Sequence, residues 1–381
     1  MSNSVRVSHR ESAQIEVLRA LCITMMMWVH VSPGLSNPSV VSTGDLAWVG
    51  GFLGDFMGRA SVSVLGFVSG YLIWTGALRL PFLSFVNRQF RTIFLPMAIW
   101  VEIFMLLLLA KLFLTAEIPN TLLAVSHSPL GIINQIVGLT VPTANLSLFF
   151  LRDLLAASLV LWLLRPAIAR WPLTVLVAVT VWSMVLPTAP VVFRPMILVF
   201  FTAGAVMARM GGRIDMLSRP AVAVPAAIAA FCAYWMIRQV PTGMGLNTIE
   251  LAAVMKRTSV SFLMLWVSRQ AVLRFDPAPL VRNGKYMFLC YLGHMPAIGL
   301  MWAVWNRVIG GPGDASYLAF YLLAPFASVG LGILSGRLLD RAPSDVQRML
   351  RGKVFGGGTP MVIPTPAPVA ATLSSRAGGG R

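Results

Sequence analysis

The chain has little charge, and acid is the scarcer sign. Of 381 residues 11% are charged, with 13 Asp and Glu against 30 Lys and Arg. Soluble domains carry about 25% charged residues, so this composition excludes the ordinary soluble class. Cysteine is also scarce. Cys22, Cys232 and Cys290 stand far apart inside apolar stretches, a spacing that neither ligates a metal nor frames a disulfide scaffold, and they read as small buried side chains. The formal charge of +17 is not gathered into one patch or interleaved with aromatics, which argues against nucleic acid as a partner. An internal repeat is missing, as is a matched pair of interrupted helices, and both absences weigh against the inverted-repeat transporter folds. The first apolar run has no small-residue cleavage site and reads as a retained helix.

Apolar sequence is abundant, at 57% of residues. It comes in stretches of about 20, the length a helix needs to cross roughly 30 Å of hydrocarbon with its backbone satisfied internally. Spans are expected at about 13–32, 50–76, 92–114, 145–164, 172–187, 194–209, 221–238, 250–268, 284–306 and 316–337. Lys and Arg in the connecting loops alternate between rich and poor, as they do when basic loops stay in the cytoplasm. Arg79, Arg88 and Arg91 fall in one rich loop, whereas 33–49 carries no Lys or Arg. The expected fold is therefore an all-α polytopic integral membrane bundle of about ten transmembrane helices with both termini cytoplasmic. Residues 1–12 form a short N-terminal segment, 13–340 the transmembrane domain, and 341–381 a basic and then Gly/Pro-rich tail, disordered beyond Lys353.

Several polar residues interrupt the apolar runs. Arg19 and His30 are eleven residues apart, which is roughly 1100° of α-helix, so both leave one face, separated by about 16.5 Å along the axis. Either Arg19 snorkels to the interface and His30 ends the span, or the pair serves a function. Arg88 and Arg91, three apart in "NRQFRTIFLP", are ordinary positive-inside charge or two guanidinium forks that bind phosphate beside a helix N-terminus. Tyr291 and His294 share "CYLGHMPAI", where a histidine at membrane depth must face the bundle interior. Asp55 and Arg59 should pair across one turn. Lys256 and Arg257 either line a polar cavity or sit at the interface, and Arg194 reads as the edge of a loop.

These pieces together resemble the acyltransferase family 3 membrane proteins. "RALCITMMMWVH" is similar to the family's first-helix arginine, ten residues, then histidine; "SVSVLGFVSGYLI" to its Ser-Gly helix; "RQFR" to its Arg-x-x-Arg. "NLSLFFLRDLLAA", "FFTAGAVMAR" and "YLGH" resemble later helices in the same order. Gly293 stands where many members carry tryptophan, and the usual upstream Ser-Tyr is replaced around Met287–Phe288. The resemblance implies a multi-pass enzyme of the bacterial inner membrane. Such an enzyme transfers an acyl group from cytoplasmic acyl-CoA, usually acetyl-CoA, to a hydroxyl of an extracytoplasmic glycan or glycolipid, and no metal is implied. His30 would be the catalytic base or acyl carrier, with Arg19, His294 and Tyr291 around the reacting groups and Arg88 and Arg91 on the CoA phosphates. A transporter or flippase with Arg19, His30 and His294 along its path is the alternative.

Overall fold

A computed structural model of the chain describes residues 8–35, 47–115, 128–141, 143–186, 188–239 and 246–353. Among these residues every regular element is helical. α1 spans His9–Met27, and α2, Arg59–Thr75, follows a π-helical stretch over Gly51–Gly58. α3, Phe82–Gln89, continues through π-helical Phe90–Phe94 into α4, Leu95–Thr115. Then come α5 (Pro129–Val137), α6 (Phe149–Arg170), α7 (Pro172–Val185), α8 (Pro195–Arg209), α9 (Pro220–Gln239) and α10 (Leu246–Arg274). α11 (Ala278–Gly284), α12 (Met287–Val308), α13 (Ser316–Leu339) and α14 (Ser344–Arg351) complete the chain. Four of the central helices open on a proline, where the missing N–H leaves no intrahelical bond unmade and the fixed φ suits the first turn.

Helices occupy all ten stretches expected to span a membrane. Five are long and apolar enough to cross one by length and composition: Arg10–His30, Trp48–Thr75, Phe82–Phe113, Met287–Val308 and Ser316–Leu339. Four of the others fall short for identifiable reasons. α7 and α8 are 14 and 15 residues long, while α6 and α10 carry Arg152 with Asp153 and Lys256 with Arg257 inside them. Those charges build the site described below.

α1 lies against α2, α10, α12 and α13, so its side chains form much of the interior. α2 and α8 cross backbone to backbone. A methyl added at Gly70 would overlap the carbonyl of Phe201, and one at Gly204 the carbonyl of Phe67. Small residues of this kind let helices approach where hydrocarbon provides no hydrophobic driving force. The expectation for the cysteines holds for Cys22 and Cys290, which are buried, but Cys232 is exposed. It lies on α9, which also turns Val224, Ile228, Phe231 and Trp235 outward, so the stretch is apolar because it faces out.

Candidate active site

α1 does not run to His30 as an α-helix; Trp28–His30 form a 3₁₀ turn. At three residues per turn, that tightening carries His30 about 60° further round than an unbroken α-helix would. The offset of Arg19 and His30 about the axis therefore grows from the roughly 20° of an unbroken α-helix to about 80°. The turn is held from α13, where the Trp28 indole donates to the Tyr321 carbonyl at 3.0 Å and the Tyr317 hydroxyl accepts from the Gly34 N–H at 2.7 Å. Gly58 admits it: a Cβ there would lie 2.7 Å from Val29 Cγ2 and 2.8 Å from the Met25 carbonyl. Two aromatic anchors and one missing side chain thus fix the position of His30.

His294 comes to the same place from α12. It is fully buried, and its ring centroid lies 5.1 Å from that of His30. Its Nδ1 is 2.6 Å from the Tyr291 carbonyl, an oxygen that can only accept. The proton of neutral His294 therefore sits on Nδ1, leaving Nε2 a basic lone pair. Nε2 is buried and has no hydrogen-bond partner among the described residues, and an unsatisfied polar atom at that depth calls for a ligand or a task. Tyr291 is committed elsewhere, donating its hydroxyl to the Ser147 carbonyl at 2.5 Å. Gly293, the departure from the family pattern, is filled from a different helix: Trp100 of α4 reaches within 3.0 Å of where its Cβ would be.

A cavity of about 550 Å³ opens at this end of the bundle, with His30 in its wall. Arg59, Arg194 and Arg257 line it from three elements, together with Ser63 and Ser147. Arg59 and Asp55 make the expected ion pair at 2.6 Å. Arg257 lines the cavity. Arg194, expected to be a loop-edge residue, also belongs here, and sequence carried no signal of it because its placement depends on a partner forty-one positions away. The fully buried Asp153 accepts the backbone N–H of Phe193 at 3.1 Å and of Arg194 at 2.8 Å, and pairs with Arg152 at 2.9 Å. Arg152 in turn donates to the carbonyls of Gly138, Leu139, Pro190 and Val191. Among the described residues no group of three or more His, Cys, Asp or Glu is arranged to hold a metal.

The remaining candidates lie away from His30, beside the middle of α1. Arg19 pairs with Glu16 at 3.0 Å. Arg88 and Arg91 are exposed, but the helix N-terminus expected beside them lies earlier, at Phe82, so they stand within a continuous α–π–α rod and not at a dipole end. The basic segment after α13 forms α14. Its Arg351 is buried and bonded to Asp340 at 2.6 Å, and the Leu350 carbonyl accepts from Trp100 Nε1 at 3.0 Å. Gly352, at φ +69°, is tucked against Thr92, and Lys353 lies within electrostatic reach of Arg19 and Arg88. The geometry therefore separates the candidates into two groups. His30 and three arginines line a cavity at one end, with His294 packed behind His30, and Arg19, Arg88 and Lys353 gather away from it, with Arg91 three residues on from Arg88.

No solved structure matches the chain. Among characterised proteins it is 28% identical over 360 residues to the succinoglycan biosynthesis protein ExoH of Rhizobium meliloti (strain 1021), an alignment covering 91% of this chain and 93% of that one. Residues 12–337 match the family model described as an acyltransferase domain. With helices long and apolar enough to cross a membrane and nearly its whole helical body inside that match, the chain belongs to acyltransferase family 3, and is a membrane enzyme that transfers acyl groups other than aminoacyl groups.

Proposed function

We propose that the enzyme transfers an acyl group, acetyl in the simplest case, from cytoplasmic acyl-CoA to a hydroxyl of a polysaccharide or its lipid-linked precursor. Transfer would take place on the outer side of a bacterial inner membrane. The observation that carries the proposal is His30 in the wall of a cavity at one end of a family 3 acyltransferase, with the His294 ring packed 5.1 Å behind it. The Rhizobium relative, named for succinoglycan biosynthesis, supports a polysaccharide acceptor. Charge alternation in the loops supports ten spans with the Arg19 end and both termini in the cytoplasm, which puts the His30 end outside.

In this reading the acceptor hydroxyl enters the cavity beside His30. Its oxygen attacks the thioester carbonyl, a C–O bond forms, the C–S bond breaks, and the hydroxyl proton passes through imidazole to the departing CoA thiolate. His30, which lines the cavity, contacts the reacting hydroxyl. His294 stands behind it with Nε2 as the acceptor that steadies the His30 ring or relays its proton. Tyr291 is a positioning residue, since its hydroxyl ties α12 to the Ser147 loop. Arg88 and Arg91, joined by Lys353, hold the CoA phosphates, and Arg19 guides the chain that carries the thioester.

Glycan mass spectrometry of cells with and without the gene tests the activity, the expected result being loss of one acyl mass step per repeat. His30→Ala should abolish that step while the protein remains at normal level in the membrane; retained acylation would remove His30 from the mechanism. Arg88→Ala with Arg91→Ala should raise the acyl-CoA KM roughly tenfold or more and leave acceptor KM alone. Unchanged donor KM would return the pair to topology alone.

A further inference from the structure

The cavity wall carries charge that acyl transfer to a neutral sugar does not need. Arg59, Arg194 and Arg257 line it from α2, the start of α8 and α10. Lys256 is adjacent, its Nζ 3.1 Å from the Asp55 carbonyl. Among the described residues the acids near this group are Asp55 and Asp153. Asp55 is spent on Arg59, and Asp153 lies behind the wall with both oxygens engaged by Arg152 and by the backbone of residues 193 and 194. The guanidinium of Arg194 is stacked on Phe149, 5.2 Å from its centroid, and neither it nor that of Arg257 has a carboxylate partner among the described residues. Arg257 lies within electrostatic reach of both Arg194 and Arg59, so three like charges are held close together. Cations kept together in a low-dielectric wall, beside a residue proposed to act on substrate, are placed to meet an anion.

We infer that this cavity binds a carboxylate-bearing reactant, held by Arg194 and Arg257 with Arg59 at the rim, so that the reacting hydroxyl or acyl group is fixed beside His30. The inference deepens the acyl-transfer reading and takes its reaction from it. The CoA phosphates do not explain these arginines, because the proposed phosphate site gathers around Arg19, roughly 16.5 Å along the helix axis from His30. Charge this close to the reacting atoms belongs either to the free end of a dicarboxylic acyl group or to an acidic sugar of the acceptor. Both present the same planar carboxylate to a guanidinium fork, and a cavity of about 550 Å³ has room for a sugar residue and a short acyl chain.

Two measurements on the full-length, detergent-purified protein decide the matter. The first is direct binding of succinate and of glucuronate, with glucose as the neutral control, followed by thermal shift in the unmodified protein and in R194Q, R257Q and R257K. Stabilisation by at least one carboxylate, absent with glucose, lost in both glutamine variants and partly kept in R257K, is expected. Equal response to glucose and glucuronate, no response to either acid, or a response unchanged in R194Q and R257Q would overturn the anion site whether or not the preparation turns over. The second measurement compares acetyl-CoA with succinyl-CoA on a neutral oligosaccharide, and then a neutral with a uronate-containing oligosaccharide using acetyl-CoA. In R257Q the KM of the acidic reactant should rise about tenfold or more while its neutral counterpart changes less than twofold. The arm that shows this difference identifies which reactant carries the charge, and equal changes in both arms overturn the inference. If the carboxylates bind but no donor supports transfer, the acyl-transfer reading fails on its own.

Discussion

At the scale of single residues, most of the candidate site rests on what each polar side chain is already bonded to. The Nδ1 of His294 is bound to a carbonyl and its Nε2 is not bound to anything described, so His294→Phe keeps much of the volume but removes the base. Transfer should fall by about 10²–10⁴-fold with membrane level unchanged, read as kcat in the purified enzyme. Trp28→Phe removes the indole N–H that holds the His30 turn to Tyr321, together with part of a buried ring. It should lower kcat about tenfold while donor KM stays constant; a fall confined to KM would show that the bond serves binding and not the placement of His30. At this scale the sequence was informative wherever partners are local. Asp55 and Arg59 pair one turn apart as their spacing indicates, and the histidines stood out because imidazole is costly at membrane depth. Arg194 was not legible, because nothing near it in sequence shows that Asp153 grips its backbone from another helix.

At the scale of elements, the positions of helices follow from apolar length, but their irregularities do not. The 3₁₀ turn at Trp28–His30 and the π-helical stretches at Gly51–Gly58 and Phe90–Phe94 arise from contacts between helices, which periodicity in one segment does not record. Gly58→Ala would push a methyl against Val29 and the Met25 carbonyl. Overpacking of this kind costs about 1–3 kcal/mol, and because the displaced atoms carry His30, activity should fall at least tenfold even in protein that remains folded. Gly70→Ala, at the α2–α8 crossing, should instead reduce the yield of folded protein, measured by fluorescence-detected gel filtration. α14 offers a pH test outside the membrane spans. Burial alone would raise the Asp340 carboxyl, but bonds from Lys285, Tyr286 and Arg351 outweigh it and hold the group down to about 2. A depressed carboxyl lends stability that is complete above its unfolded value of about 3.9 and is lost as pH falls through the folded one. The protection factor of the amides in Val346–Arg351, with the intrinsic pH dependence of exchange divided out, should therefore be level from pH 8 to 5 and fall as pH drops below about 4. Asp340→Asn should show the faster exchange at neutral pH.

At the scale of the whole molecule, charge placement along the chain makes one statement about orientation. If basic loops face the cytoplasm, reporter fusions after Arg79, Arg219 and Lys353 should read as cytoplasmic, and fusions in 33–49 and 115–127 as external. An external reading after Lys353 would reverse the proposed path of the acyl group. The overall class of the fold was legible because a bilayer demands long apolar helices. The cavity was not, because its walls come from α2, α8 and α10, elements far apart in the chain.

The grip of Asp153 on residues 193 and 194 has a consequence for how enzymes of this kind diversify. Asp153 bonds to the main chain of residue 194, not to its side chain, and the Arg152 collar braces the carbonyls around it. The backbone of residue 194 is therefore held at the same point in the cavity wall without help from its side chain. A codon change there can exchange the cation for a neutral group, at the loss of the stack on Phe149, while that hold remains. Selection can thus try new substrates one substitution at a time on a scaffold that does not have to be rebuilt.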